Sequence, residues 1–207
     1  MISNIRNVYC VGRNYKLHAE ELGNSVPEEP MIFLKPSHAV ALLDGSTLSL
    51  PGNKGEIHYE GEVVLQIARS YEPGIHVDQL VNEMALGIDF TLRAVQSEIK
   101  QKGYPWTAAK GFLNSAPVSA SIRFPGQEAA KAESFTVIKN GVQVQQGNTK
   151  DMIFSFQEIV DYIGVHYGLG AGDLIFTGTP AGVGPAAPGD EFELLWGTER
   201  LGSCVIG

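Results

Sequence analysis

Cysteine is nearly absent: Cys10 and Cys204 stand at opposite ends of a 207-residue chain. Two isolated thiols build neither a disulfide framework nor a zinc motif, and a reducing cytoplasm suits them. Long apolar runs are missing too, and none approaches the ~18 residues that a membrane span requires. The first fifteen residues, MISNIRNVYCVGRNY, lack the apolar centre of a signal peptide. Positive charge is scarce, with 15 Lys and Arg against 23 Asp and Glu, for a net charge of −8. No basic run exists to neutralise phosphates, which argues against a nucleic-acid partner, and no membrane partner is expected. An anionic substrate must then find its positive charge locally, in a metal or in a few placed Lys and Arg residues. There is no internal repeat and no low-complexity segment.

What is present fits one globular domain spanning 1–207, with residues 1–30 as an N-terminal strand and helix segment. Hydrophobic residues make up 43% of the chain, and 24 Gly with 11 Pro supply many turns, which favours an α+β, β-rich fold. The central stretch is His58-Tyr59-Glu60-Gly61-Glu62-Val63-Val64-Leu65, expected as one strand running to about Ala68 after the break at Pro51–Gly55. On a strand Glu60 and Glu62 point the same way. With no adjacent cation they either face solvent or hold one between them. Gly61 leaves the opposite face bare, as a bulge or a close backbone approach would require. Asp89, between Ile88 and Phe90, is expected to be buried and to need a partner. It is either a third ligand to that cation or is satisfied by backbone donors opening the helix from Arg93 to Lys102.

Around this centre, Val8–Gly12 reads as a strand and Asn14 as the N-cap of a short helix through Leu22. His18 and Glu21 share a face of that helix, as a general-base pair or as a surface pair. Met31–Leu34 is a strand running into Lys35-Pro36. Val77–Glu83 is expected as a helical turn and Tyr104–Phe112 as an aromatic-flanked loop. Its Lys110 is either held near an anionic ligand or exposed. Pro117–Phe124 reads as a strand and Gly126–Glu133 as a polar loop. Asn140-Gly141 marks a type I′ hairpin between Phe135 and Gln145. Ser155 and Glu158 form a capping box for a helix to about Tyr167. The loop Gly178–Gly184 lacks the P-loop lysine, yet its amides and the Thr179 hydroxyl can hold a carboxylate. Glu191–Trp196 and Leu201–Ile206 close the chain as a strand pair.

In order and spacing these segments resemble the fumarylacetoacetate hydrolase family, specifically its small single-domain members that act on acylpyruvates and oxaloacetate. The matching residues are Gly12-Arg13-Asn14-Tyr15 with His18 and Glu21, Phe33-Leu34-Lys35-Pro36 and Tyr59-Glu60-Gly61-Glu62. They continue with Asp89-Phe90-Thr91-Leu92-Arg93 and Gln96, Pro105-Trp106 with Lys110, Asn140-Gly141, Gln146 with Thr149, Met152-Ile153, and Gly172 to Pro180. The resemblance implies a mixed β-roll with short peripheral helices, as a homodimer, and Mg2+ or Mn2+ on Glu60, Glu62 and Asp89. It implies a small 2-oxo acid as substrate, gripped by Arg13, Gln96 and Thr179, with Lys110 as a second positive group. His18 and Glu21, on a helix that family members close as a lid, would activate water to cleave a C–C bond in an acylpyruvate. On the same site an oxaloacetate tautomerase or decarboxylase, or a 2-hydroxy-dienoate isomerase, is the alternative, and an inactive metal-binding member a further one. Ala94 and Leu113 depart from the family, which has Asp at the first position and often at the second.

Overall fold

The computed structural model describes residues 5–17 and 26–207. His18, Glu21 and most of the expected early helix lie outside the described residues. The chain opens with β1 (Val8–Gly12), β2 (Met31–Lys35), β3 (Val40–Leu42), β4 (Asp44–Leu48), β5 (Ile57–Tyr59) and β6 (Gly61–Ile67). A helical turn α1 (Val77–Leu80) leads into β7 (Val81–Ile88) and β8 (Thr91–Leu92). Helix α2 (Arg93–Lys102), the turn α3 (Thr107–Lys110), β9 (Ala116–Val118), β10 (Ile122–Arg123) and the turn α4 (Gln127–Ala130) follow. The last third holds β11 (Ser134–Lys139), β12 (Val142–Asn148), helix α5 (Phe156–His166), β13 (Leu174–Phe176), β14 (Gly184–Ala186), β15 (Glu191–Trp196) and β16 (Glu199–Ile206).

Three sheets carry these strands. The largest runs β2-β1-β13-β6-β7-β9-β3, with β10 also on β7; the second runs β12-β11-β15-β16-β4; the third is β14-β5-β8. β1 lies parallel to β13, and antiparallel pairs dominate elsewhere. Val63, Val64 and Leu65 of β6 are wholly buried, as are Phe135, Val137, Ile159 and Phe192 from the elements around it. This is the α+β, β-rich mixed roll that the composition and the resemblance led us to expect. No helix among the described residues is long and apolar enough to cross a membrane.

Several local expectations hold. The hairpin turns at Asn140 (φ 51°) and Gly141 (φ 75°), and Ser155 and Glu158 make both halves of the capping box. Others need correction. The expected continuous strand breaks at Glu60, because its carbonyl accepts from Asp89 N while Gly61 N turns to the side chain of Gln145. Val81–Glu83 belongs to β7, since Val81 and Glu83 pair with Ile67 and Gln66. Pro105 does not hold Tyr104–Phe112 as a loop. Trp106 O accepts from Ala109 N and Lys110 N, and α3 winds behind the proline, where a missing N–H costs nothing. Pro117–Phe124 splits into β9 and β10, because the Ser119 hydroxyl takes Leu86 N and interrupts the ladder. The loop after Gly126 contains α4, with Gln127 N donating to Asp78. The helix for which Asn14 was expected as the N-cap lies largely outside the described residues; within them, the Asn14 amide donates to Phe154 O and Thr177 O and accepts from Phe154 N.

Candidate active site

The antiparallel ladder of β6 and β7 assembles the carboxylates. It sets Gly61 opposite Ile88 and Glu62 opposite Gly87, and Asp89 N donates to Glu60 O at 2.8 Å just beyond it. One side-chain oxygen each from Glu60, Glu62 and Asp89 lies within 4.8 Å of the others, and all three residues are buried. Gly61 permits a close approach, as its bare face suggested: a Cβ there would collide with Val137.

Cations surround the cluster. Lys110, buried on α3, donates to Glu60 Oε2 at 2.8 Å and Asp89 Oδ2 at 2.7 Å. Arg93, the first residue of α2, donates to Glu60 Oε1 at 2.7 Å, and the Thr91 hydroxyl donates to the same oxygen. Lys35 sits 2.7 Å from Asp89 Oδ1 and donates to the carbonyls of Phe90, Lys110 and Ser115. Glu62 Oε2 accepts from Gly178 N at 2.7 Å. The glycine-rich loop thus does bind a carboxylate, but it is one of the protein's own.

Electrostatics separate the members of the cluster. Burial pushes the Glu62 carboxyl well above its usual range, Asp89 and Glu60 push it further, and the Gly178 amide and Lys110 only partly oppose them. Burial works against the Lys110 ammonium, but Asp89 and Glu60 outweigh it and raise its proton affinity. The two carboxylates thus favour the ammonium form of Lys110. The carboxylate donors are all hard oxygens, the set that Mg2+ or Mn2+ takes. A cation among them would relieve the repulsion felt by Glu62, so the residues fit such an ion.

The expected substrate-gripping residues Arg13, Gln96 and Thr179 line one pocket together with Glu60, Glu62, Asp89 and Lys110. Arg13 reaches it from a left-handed backbone (φ 58°) directly after β1. Gln96 accepts from Arg93 at 2.7 Å. The pocket does not include Ala94 or Leu113, and Leu113 is exposed. Sequence reasoning did not single out Lys35, Arg93, Lys100 or Gln145. A lysine inside the apolar run of β2 was the available signal for Lys35. Lys100 was visible as a cation one helical turn beyond Gln96. Nothing in the hairpin's pattern marked Gln145.

A model of the fumarylacetoacetate hydrolase C-terminal domain matches residues 7–205. The oxaloacetate tautomerase YcgM of Escherichia coli K12 is 38% identical over 207 residues, covering 98% of this chain and 93% of its own. The mitochondrial oxaloacetate tautomerase FAHD1 of Mus musculus is 41% identical over 193 residues, covering 91% and 86%. Among solved structures, the fumarylpyruvate hydrolase of Pseudomonas aeruginosa in complex with Mn2+ and pyruvate superposes with a TM-score of 0.87. It is 33% identical, and the match covers 98% of this chain and 89% of that one.

Proposed function

Because the chain belongs to the fumarylacetoacetate hydrolase family, we propose that it interconverts the keto and enol forms of oxaloacetate or a similar 2-oxo acid, using a divalent cation on Glu60, Glu62 and Asp89. The observation that carries this reading is the buried three-carboxylate cluster, bridged by Lys110, in a pocket also lined by Arg13 and Thr179. The two relatives named as oxaloacetate tautomerases favour this reading over the C–C hydrolysis that the sequence first suggested.

A divalent cation held by Glu60, Glu62 and Asp89 would supply Lewis acidity to the bound 2-oxo acid. Everything else falls to the chain. Keto–enol exchange moves one proton between C3 and the C2 oxygen and breaks no other bond. Negative charge gathers on that oxygen in passing, and the buried Lys110 ammonium stabilises it. Lys35 and Arg93 hold Asp89 and Glu60 in place. Arg13, Gln96 and Thr179 orient the substrate. His18 and Glu21, outside the described residues, are the proposed proton carriers.

The test mixes the metal-loaded protein with oxaloacetate in one tube and acetylpyruvate in another, followed by NMR. Faster keto–enol exchange in the first with the second untouched supports tautomerisation. Acetate and pyruvate from the second would make it a hydrolase, the reading that the Pseudomonas structure favours. No change in either overturns both.

A further inference from the structure

Gln145 reaches the backbone between two of the carboxylates. It is 2% exposed, and its Oε1 accepts from Gly61 N at 2.8 Å. Its Nε2 donates to Thr179 Oγ1 at 2.9 Å and to Pro180 O at 3.0 Å. The amide has one way round: a backbone N–H only donates and a backbone carbonyl only accepts, so Gly61 and Pro180 fix it from both ends. The consequence falls on Thr179. A hydroxyl that receives an N–H keeps its own proton for another acceptor. Thr179 lines the pocket with the three carboxylates and Arg13.

The backbone is built for this contact. Val137 pairs with Gln145 but Ile138 pairs with Gln143, so Val144 is an extra residue in β12. On a regular strand, residues 143 and 145 share a face. The bulge separates them, leaving Gln143 exposed and Gln145 buried. Gly182 closes the other side: its φ is 97°, and a Cβ there would strike the carbonyl of Val144.

We propose that Gln145 is a positioning residue that holds Thr179 as a hydrogen-bond donor toward the carboxylate of the bound 2-oxo acid. The proposal rests on the reading that this pocket binds such an acid.

Pyruvate is the probe, titrated calorimetrically into the Mn2+-loaded protein, alongside Mn2+ titrations and the oxaloacetate exchange rate. The variants are Gln145→Glu, which accepts where the amide donates, Thr179→Val, Thr179→Ser, and Gln145→Glu combined with Thr179→Val. Loss of a hydrogen bond to a charged group predicts pyruvate binding weakened about tenfold or more by Gln145→Glu and by Thr179→Val. KM for oxaloacetate should rise in parallel, Mn2+ affinity should stay within about threefold, and Thr179→Ser should bind like the parent. Two residues acting through one hydroxyl are not additive, so the double variant should be no worse than the weaker single one. Losses that multiply, or Mn2+ affinity falling as far as pyruvate affinity, overturn the proposal and leave Gln145 as a backbone support. Pyruvate failing to bind the parent protein overturns it too. Absence of oxaloacetate exchange in the parent sinks only the functional reading, since the pyruvate cycle is read independently.

If Gln145→Glu does not fold, NMR of the 15N-labelled, Mg2+-loaded protein decides. The Gln145 side-chain protons should exchange slowly, and Thr179→Val should move one of them upfield. Exchange as fast as that of an exposed glutamine overturns the proposal.

Discussion

Lys35 Nζ lies 2.7 Å from Asp89 Oδ1, and neither side chain is exposed. The same ammonium donates to three backbone carbonyls, including that of Lys110. One buried cation thus ties a carboxylate of the cluster to the turn that carries the second cation. Burial lowers the Lys35 proton affinity and Asp89 works to restore it. Removing one partner of such a pair strands the other charge, at a cost of about 3–5 kcal/mol. Lys35→Met should destabilise the protein by that order, read from urea unfolding with the slope unchanged.

The proposed metal ligands have a separate signature. Glu62→Gln and Asp89→Asn should each abolish measurable Mn2+ binding by calorimetry. In the parent protein, metal at a hundred times its dissociation constant should add about 2.7 kcal/mol of stability. Chelation should reverse that gain and stop the exchange of oxaloacetate. Variants that still bind Mn2+ with parental affinity would move the metal elsewhere.

The role proposed for Lys110 is electrostatic rather than proton abstraction. Lys110→Met should lower kcat for oxaloacetate exchange more than tenfold, corresponding to about 1.4 kcal/mol or more of lost transition-state stabilisation. KM should change less. A smaller fall in kcat at saturating metal would demote it to a structural cation.

Arg13 and Lys100 line the pocket and form no ion pair with a described residue, unlike Arg93 and Lys110. Burial lowers the proton affinity of Lys100, and the positive charges of Arg13 and Arg93 lower it further. Cations in this position suit the far carboxylate of a dicarboxylic substrate. Lys100→Ala should raise KM for oxaloacetate about three- to tenfold and leave pyruvate affinity nearly unchanged, as expected when one partly solvated charge pair is lost. Equal losses for both acids would place Lys100 against the shared carboxylate instead.

Away from the site, burial tends to raise the carboxyl of Asp190. Lys139, the amide of Ala187 and Asn140 outweigh it and hold the group below the usual range. A lowered folded value means stability that is complete above the unfolded value of about 3.9 and is lost as pH falls through the folded one. Asp190→Asn should lower stability at pH 7 by about 1–2 kcal/mol. It should also flatten the acid limb of the unfolding profile.

How much of this the sequence disclosed depended on how local each cause was. The Asn140-Gly141 turn and the Ser155/Glu158 cap are written in adjacent residues, and both formed as expected. Alternation left Glu60 and Glu62 open between solvent and a shared cation, and burial left Asp89 open between that cation and backbone donors; the resemblance assigned all three to a metal, and the β6–β7 ladder brings them together. The break at Glu60 was not legible, since it depends on the Gln145 side chain taking Gly61 N from 84 residues away. Lys35 was quoted only as part of a family segment; its burial comes from carbonyls 55 to 80 residues distant. Gln145 was hidden by the bulge, which undoes the period that reveals a buried face.

The bond from Gly178 N to Glu62 sets an order on events in the life of the chain. When the ribosome has delivered Glu60, Glu62 and Asp89, the amide that braces the middle carboxylate is still unmade. So are Gln145, which braces Gly61, and Phe176, which pairs β13 with β6. A nascent chain can gather its acids but cannot build the finished cluster until Gly178 has been added. A metal ion bound firmly there would mark a chain already translated past Gly178.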